Sequence, residues 1–372
     1  MYFPSGVKQT MSGRAPAAKS ALISPLVSMT TIRRYSKSSA FYQKTKAGFF
    51  ADNAKLLAKA RTLNALYAEQ PPRTKCKICQ AALAAEVDFE QHGVAYRFCP
   101  DCGHLNGAHD DTRTFVEKLY LEDDSREYAE NYVDTNFAAR ATDIYTPKFE
   151  FLSSHVELQG AKVLDIGCGG GHFVYAARKA GVEATGVDVS KTMVRYGNDQ
   201  IAHLLNERPL EVHDEEGLFA AVRERDAKVV SAIGVIEHLR EPQRLFEAFA
   251  ASQATHLFYS VPMFSLSVLF EHAFQHVFPR QLSGGHTHLF TEDSLTRLHQ
   301  LLGVEPIAEW RFGTDMMDLY RCLRVTLEGD GVSERLETTL DEGLGAIVDE
   351  LQAVADKQHF CSEIHVVTTK IS

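Results

Sequence analysis

Residues 163–173 read Val-Leu-Asp-Ile-Gly-Cys-Gly-Gly-Gly-His-Phe, and no other stretch constrains the fold of this chain as strongly. An apolar strand (Val163, Leu164, Ile166) runs into a glycine loop, and a helix is predicted to begin near His172. Glycines let a backbone turn sharply and approach a ligand closely. A dinucleotide asks for G-x-G-x-x-G/A, with its pyrophosphate at the helix N-terminus. Here His172 stands at the third position of that pattern. The spacing is instead Asp165-x-Gly167-x-Gly169-x-Gly171, with a carboxylate at the strand end. Such a carboxylate repels pyrophosphate and attracts a cation.

The next elements extend this layout. Val182–Val187 reads as a strand leading to Asp188, about 20 residues after the loop, where an acid can accept both hydroxyls of a ribose. Gly181 fits the residue that closes the intervening helix. Val229–Ile236 reads as a buried strand followed by Glu237-His238-Leu239. Helix and strand signals then alternate: a helix at 245–249, a strand at 256–261, a helix at 293–302 closed by Gly303, and strands at 306–312 and 364–369, with helices over 316–357 between the last two. Such alternation predicts an α/β, doubly wound, mainly parallel sheet.

VLDIGCGGG, GVDVS and EHL together resemble the class I S-adenosylmethionine-dependent methyltransferases, over residues 160–265. The resemblance implies a seven-stranded Rossmann-like sheet and S-adenosylmethionine as the methyl donor. It implies that Gly167, Gly169 and Gly171 cradle the methionine part, with Asp165 near its amino group and Asp188 on the ribose. It also implies Asp214 near the adenine, and Ile236 and Glu237 lining the cofactor or substrate side.

Four of the seven cysteines form Cys76-Lys-Ile-Cys79 and Cys99-Pro-Asp-Cys102. The gap between the pairs lies in the range of a zinc ribbon. Two residues between thiolates let a tight turn aim both sulfurs at one ion, and two such turns complete a tetrahedron. Four thiolates leave no open coordination position, so the Zn2+ expected here is structural. The other reading is disulfides or free thiols, but the cysteine usage requires no oxidising compartment.

Charge divides the chain. Residues 1–70 hold eleven Lys and Arg against Asp52 and Glu69, in a chain whose net charge is −10. Residues 1–50 contain no Asp or Glu and few periodic apolar positions, so they are expected to be a disordered basic extension. Other readings are a mitochondrial-type transit peptide, a tail for an acidic partner, and a start of translation near Met29. The chain is placed in the cytoplasm, or in the mitochondrion if the arm is a transit peptide. Residues 51–70 supply a leading helix, 71–115 the zinc ribbon, and 116–372 the methyltransferase domain. The acidic remainder argues against a nucleic-acid substrate. No apolar run reaches the roughly 18 residues of a membrane span.

Residues 262–290 are expected to be a helical insertion capping the carboxyl ends of the strands. They carry Phe264, Phe270, Phe274 and Phe278 with His272 and His276, then Ser283-Gly-Gly-His-Thr-His288. The glycine pair is expected to present His286 and His288 to the site, with His286 the first candidate for general base and His288 the second. Tyr132, in Glu127-Tyr-Ala-Glu-Asn-Tyr132, is a further candidate for closing over the site. The order of ribbon, methyltransferase and insertion resembles sugar C- and O-methyltransferases of polysaccharide biosynthesis. That resemblance implies a sugar or nucleotide-sugar acceptor. The Tyr-x-x-His pair of the C-methylating members is Ser283 and His286 here. Rival readings are an RNA methyltransferase, an enzyme for other small molecules, and a non-catalytic binding protein with a zinc interaction module. The sequence does not specify an oligomeric state.

Overall fold

The computed structural model describes residues 31–39, 52–120, 136–282 and 286–371. Twelve strands are found among them: β1 (Ile32–Tyr35), β2 (Phe89–Gln91), β3 (Val94–Phe98), β4 (Leu105–Gly107), β5 (Lys162–Ile166), β6 (Glu183–Asp188), β7 (Leu210–Val212), β8 (Val229–Ile233), β9 (His256–Pro262), β10 (His288–Leu289), β11 (Val304–Phe312) and β12 (Glu363–Lys370). The large sheet has the order β1-β11-β12-β9-β8-β5-β6-β7. β5 to β9 pair in parallel, whereas β12 runs antiparallel between β9 and β11.

The central strands are nearly continuous apolar runs because helices cover both faces. Val163, Leu164, Val229, Val230, Leu257 and Phe258 are all buried. One face holds an aromatic cluster of Phe151, Phe173, Phe258 and Trp310. Local signals set the helix ends. Ser190 caps helix Lys191–Leu205 by accepting from the Met193 amide. Thr291 and Ser294 form a capping box on helix Glu292–Leu302, which Gly303 closes at φ 63. From β5 the chain steps to β6 on one side and later returns to β8 on the other. The carboxyl ends of β5 and β8 therefore flank the switch point, where open α/β sheets bind ligands.

The sheet has eight strands rather than the expected seven. The extra one, β1, lies inside the stretch expected to be disordered. It pairs in parallel with β11, from Ile32 opposite Ala308 to Tyr35 opposite Arg311. Two basic residues secure it: Arg34 stacks over the Trp310 ring at 4.0 Å, and Arg33 pairs with Glu309 at 3.2 Å. Composition conceals such a strand, because its stabilising partners lie some 276 residues away. The rest of that extension, residues 1–30 and 40–50, lies outside the described residues.

β2, β3 and β4 form a small antiparallel sheet, with Cys99 and Cys102 between β3 and β4 and Cys76 and Cys79 ahead of β2, and helix Asn53–Ala68 packs on it through Tyr67. The 262–290 segment differs from the expected helical lid. It has one helix, Leu266–Ala273, and then returns as β10, which pairs antiparallel with β4. It is a bridge between the two sheets. Its aromatics are packing residues: Phe264 meets Phe98 edge-on at 5.2 Å, and Phe278 lies under Arg321.

Candidate functional site

Gly167 and Gly171 fix the turn that follows β5. Both have positive φ, 61 and 73. A Cβ on Gly167 would stand 2.6 Å from Val235 Cγ2, and one on Gly171 would stand 2.5 Å from Leu210 Cδ1. Only glycine lets the loop press against the segment after β8 and lets helix His172–Lys179 start beside β7. Gly169 (φ 50) completes the turn, and its amide donates to Asp188 Oδ2 at 2.7 Å. Asp188 Oδ1 accepts from the Ser190 amide at 2.8 Å. The Val189 amide also bonds this carboxylate, which has about four lone-pair positions, so it keeps room to accept from a ribose hydroxyl. Burial raises the Asp188 pKa above the ordinary carboxylate range.

Asp165 stands one strand away and is 3% exposed. Ser231 Oγ donates to its Oδ1 at 2.6 Å, across the register pair Asp165–Ser231. Burial pushes the Asp165 pKa up to about 7, partly offset by the Ser231 bond and further raised by the charge of Asp188. Glu237 is also buried, and burial lifts it to about 8. Its Oε2 has no hydrogen-bond partner among the described residues. Lys148 is the buried cation nearby; it lies 3.8 Å from Glu363, and burial lowers its pKa. The pocket wall is thus a group of desolvated acids around a bare backbone turn, which favours a ligand that brings positive charge.

Beyond β8, the single turn Ile236–His238 carries Glu237 and His238. His286 faces them: its ring centroid is 5.3 Å from that of His238, and donor atoms of Glu237, His238 and His286 lie within 4.8 Å of one another. His286 Nδ1 donates to the Gln281 carbonyl at 3.2 Å, which leaves Nε2 with its lone pair. Burial pulls the His286 pKa down to about 4. Three such groups can exchange protons with a hydroxyl placed among them, and their spacing is within reach of one divalent cation.

The other expected residues fall differently. His288 is 1% exposed, with both ring nitrogens engaged by His104 and the Glu237 carbonyl, so the glycine pair does not present it to the site. Asp214 is exposed and spends its side chain capping helix Glu215–Glu224, accepting from the Gly217 amide at 2.8 Å. Ile236 is wholly buried in the core. Tyr132 and Ser283 lie outside the described residues. Ser231 and Lys148 carried no sequence signal. His238 stands in the EHL stretch, which the resemblance to the family includes without assigning it a role.

In the ribbon, Cys76 Sγ and Cys102 Sγ are 3.7 Å apart, and Cys79 Sγ and Cys99 Sγ are 3.6 Å apart. All four donor atoms form one cluster. Zinc–sulfur bonds of about 2.3 Å at tetrahedral angles put sulfurs about 3.8 Å apart. These separations fit that edge and are far too long for disulfide bonds.

Residues 137–309 match the family described as "Methyltransferase domain". This segment is similar to class I S-adenosylmethionine-dependent methyltransferase domains. The methyltransferase domain takes in the glycine loop, both strand-end acids and the Glu237–His238–His286 group, and leaves the ribbon and β12 outside. The chain is 28% identical over 104 residues to a ubiquinone biosynthesis O-methyltransferase of Coxiella burnetii, covering 28% of this chain and 44% of that protein. It is 30% identical over 106 residues to the enzyme of that name from Stutzerimonas stutzeri, again covering 28% and 44%. The chain thus spans less than half the length of the curated relatives it matches. Among solved structures, magnesium protoporphyrin IX methyltransferase from Synechocystis PCC 6803 with bound SAH is 14% identical, with a TM-score of 0.42, covering 69% of this chain and 99% of that one. No helix among the described residues is long and apolar enough to cross a membrane.

Proposed function

We propose that this protein transfers the methyl group of S-adenosylmethionine to an oxygen or carbon of a small polar acceptor, with a sugar or nucleotide-linked sugar the favoured class. The observation that carries this reading is Asp165: a buried carboxylate at a strand end, beside a glycine turn, hydrogen-bonded by the Ser231 hydroxyl. It fits the ammonium of the donor's methionine part, and Asp188, on the neighbouring strand end, fits the ribose diol. When bound, the donor supplies an electrophilic methyl on a sulfonium, so the chain needs no covalent intermediate of its own. Its residues align the reactants and exclude water. His286 Nε2 takes the proton of the acceptor as the new bond forms, with His238 and Glu237 completing the wall around it. The cysteine cluster holds a structural Zn2+ that stabilises the ribbon.

The sugar class is supported by the order of ribbon, methyltransferase domain and connecting segment. A phenolic acceptor is the second reading, favoured by the chain's similarity to ubiquinone biosynthesis O-methyltransferases. Incubation with S-adenosylmethionine and two panels, nucleoside-diphosphate sugars and dihydroxybenzoates, followed by mass spectrometry, separates them. A mass gain of one methylene on a sugar is the expected result. Gain on the phenols alone establishes the second reading, and gain on neither panel removes both classes.

A further inference from the structure

Two buried histidines stand behind the Glu237–His238 turn, on the ribbon side. His288 Nε2 lies 2.9 Å from the Glu237 carbonyl oxygen. His288 Nδ1 lies 2.8 Å from His104 Nε2, and His104 Nδ1 lies 3.3 Å from Ser294 Oγ. A backbone carbonyl only accepts, so the proton of His288 is on Nε2. His288 is 1% exposed, which favours the neutral ring, and its Nδ1 is then an acceptor. His104 Nε2 must donate to it. By the same logic His104 Nδ1 carries no proton; it faces Ser294 Oγ, whose hydroxyl also has the Thr291 carbonyl at 3.1 Å as an acceptor. The two imidazole hydrogen bonds therefore point one way, from His104 in the ribbon through His288 to the backbone of Glu237.

We propose that His288, backed by His104, is a positioning residue of the methyl-transfer site: its Nε2–H holds the Glu237 carbonyl and so fixes the turn that carries Glu237 and His238. The inference rests on the methyl-transfer reading for its functional meaning. That turn is one short 3-10 turn after Gly234 (φ 67), closed by the His238 and Leu239 amides on the Val235 carbonyl at 2.9 and 3.2 Å; the Glu237 carbonyl takes no part in those bonds and is held by His288. The ribbon, by contrast, is firmly tied to the large domain. Thr287 donates to Asp111 at 2.7 Å and accepts from the Gly107 amide at 2.8 Å. Asp111 pairs with Arg73 at 2.9 Å and with Lys77. Gln243 donates to the carbonyls of Lys77 and Ile78, inside the first cysteine turn, at 2.7 and 2.9 Å. The ribbon thereby becomes the back wall of the acceptor side, and His288 is its point of contact with the chemistry.

The test compares His288→Gln with His288→Asn in the full chain. A glutamine amide reaches about as far as Nε2 and keeps a donor for the Glu237 carbonyl; an asparagine amide reaches only the Nδ1 position and loses it. Hydrogen–deuterium exchange of amides 234–240 is expected to quicken about tenfold or more in His288→Asn and to stay near wild type in His288→Gln. In the wild type, long-range proton–nitrogen spectra should show His288 protonated on Nε2; this measurement decides the matter even if a variant fails to fold. Equal exchange in the two variants, or a proton on Nδ1, overturns the proposal. S-adenosylhomocysteine is titrated separately into the wild type. Absence of binding would remove the methyl-transfer reading and the positioning role with it, whereas binding alongside equal exchange would remove the positioning role alone.

Discussion

Ser231 donates its hydroxyl to Asp165 at 2.6 Å across the pair that joins β5 to β8. That bond and, more weakly, the charge of Lys148 oppose the effect of burial, and burial wins: the pKa rises to about 7. An acid whose folded pKa exceeds its unfolded value binds more protons when folded, so folding stability falls as pH rises from about 4 to about 7. Asp165→Asn keeps an acceptor for Ser231 and removes the charge. The variant is expected to melt higher than wild type near pH 8 in the absence of ligand, and to bind S-adenosylmethionine at least tenfold more weakly. Calorimetry on the wild type near pH 7 should show proton release on binding, because a cationic ligand favours the ionised carboxylate. Heats independent of the buffer's ionisation enthalpy would contradict this account of Asp165.

Asp188 holds the loop and has lone pairs to spare. Asp188→Ala removes the acceptor for the Gly169 and Ser190 amides and for the ribose together. Affinity for S-adenosylhomocysteine should fall by about 1–3 kcal/mol, the cost of leaving buried donors unpaired. Asp188→Asn, which keeps one acceptor, should fall between the two. Titration calorimetry reads both, and unchanged affinity in the alanine variant would place the ribose elsewhere.

His286, held down at about 4 by burial, is unprotonated at neutral pH and available as a base. At saturating donor, the limb of the kcat/KM profile that belongs to His286 is therefore expected only as pH drops through about 4, and any step near pH 7 to 8 belongs to Asp165 and Glu237. His286→Ala should lower turnover by roughly 10²–10⁴-fold with donor affinity intact. A matching loss of donor affinity would make the residue structural.

The glycine turn, Asp165 and Asp188 were legible because strand, turn and helix are neighbours in sequence, and each acid sits at a fixed offset from a glycine. The cysteine pairs were legible for the same reason. What could not be read lies between segments far apart in the chain. Ser231 meets Asp165 only once β8 is known to neighbour β5. β1 is stabilised by β11, and His288 turns inward because His104, 184 residues earlier, is waiting for it. Asp214 is a different kind of case, because the structure gives its side chain to a helix cap. An acid immediately before Glu215-Glu216 carries the local signature of a helix cap, and that signal outweighs an analogy of position.

The ribbon offers the last prediction. Cys76 and Cys102 are buried in the same core cluster as Ile236, Leu239 and Phe246. Gln243 binds the carbonyls inside the first cysteine turn, so that turn is part of the large domain's packing as well as the ribbon's. Structural zinc contributes directly to folding free energy where the thiolates have no other way to be satisfied. Cys76→Ser should therefore abolish zinc by elemental analysis. It should also lower the unfolding midpoint by more than about 5 °C, in a single transition shared with the methyltransferase domain. A separate low-temperature transition for residues 71–115, with the main transition unmoved, would show the ribbon to be an independent module. A chain that carries no zinc as purified and melts like the serine variant would remove the metal from the account.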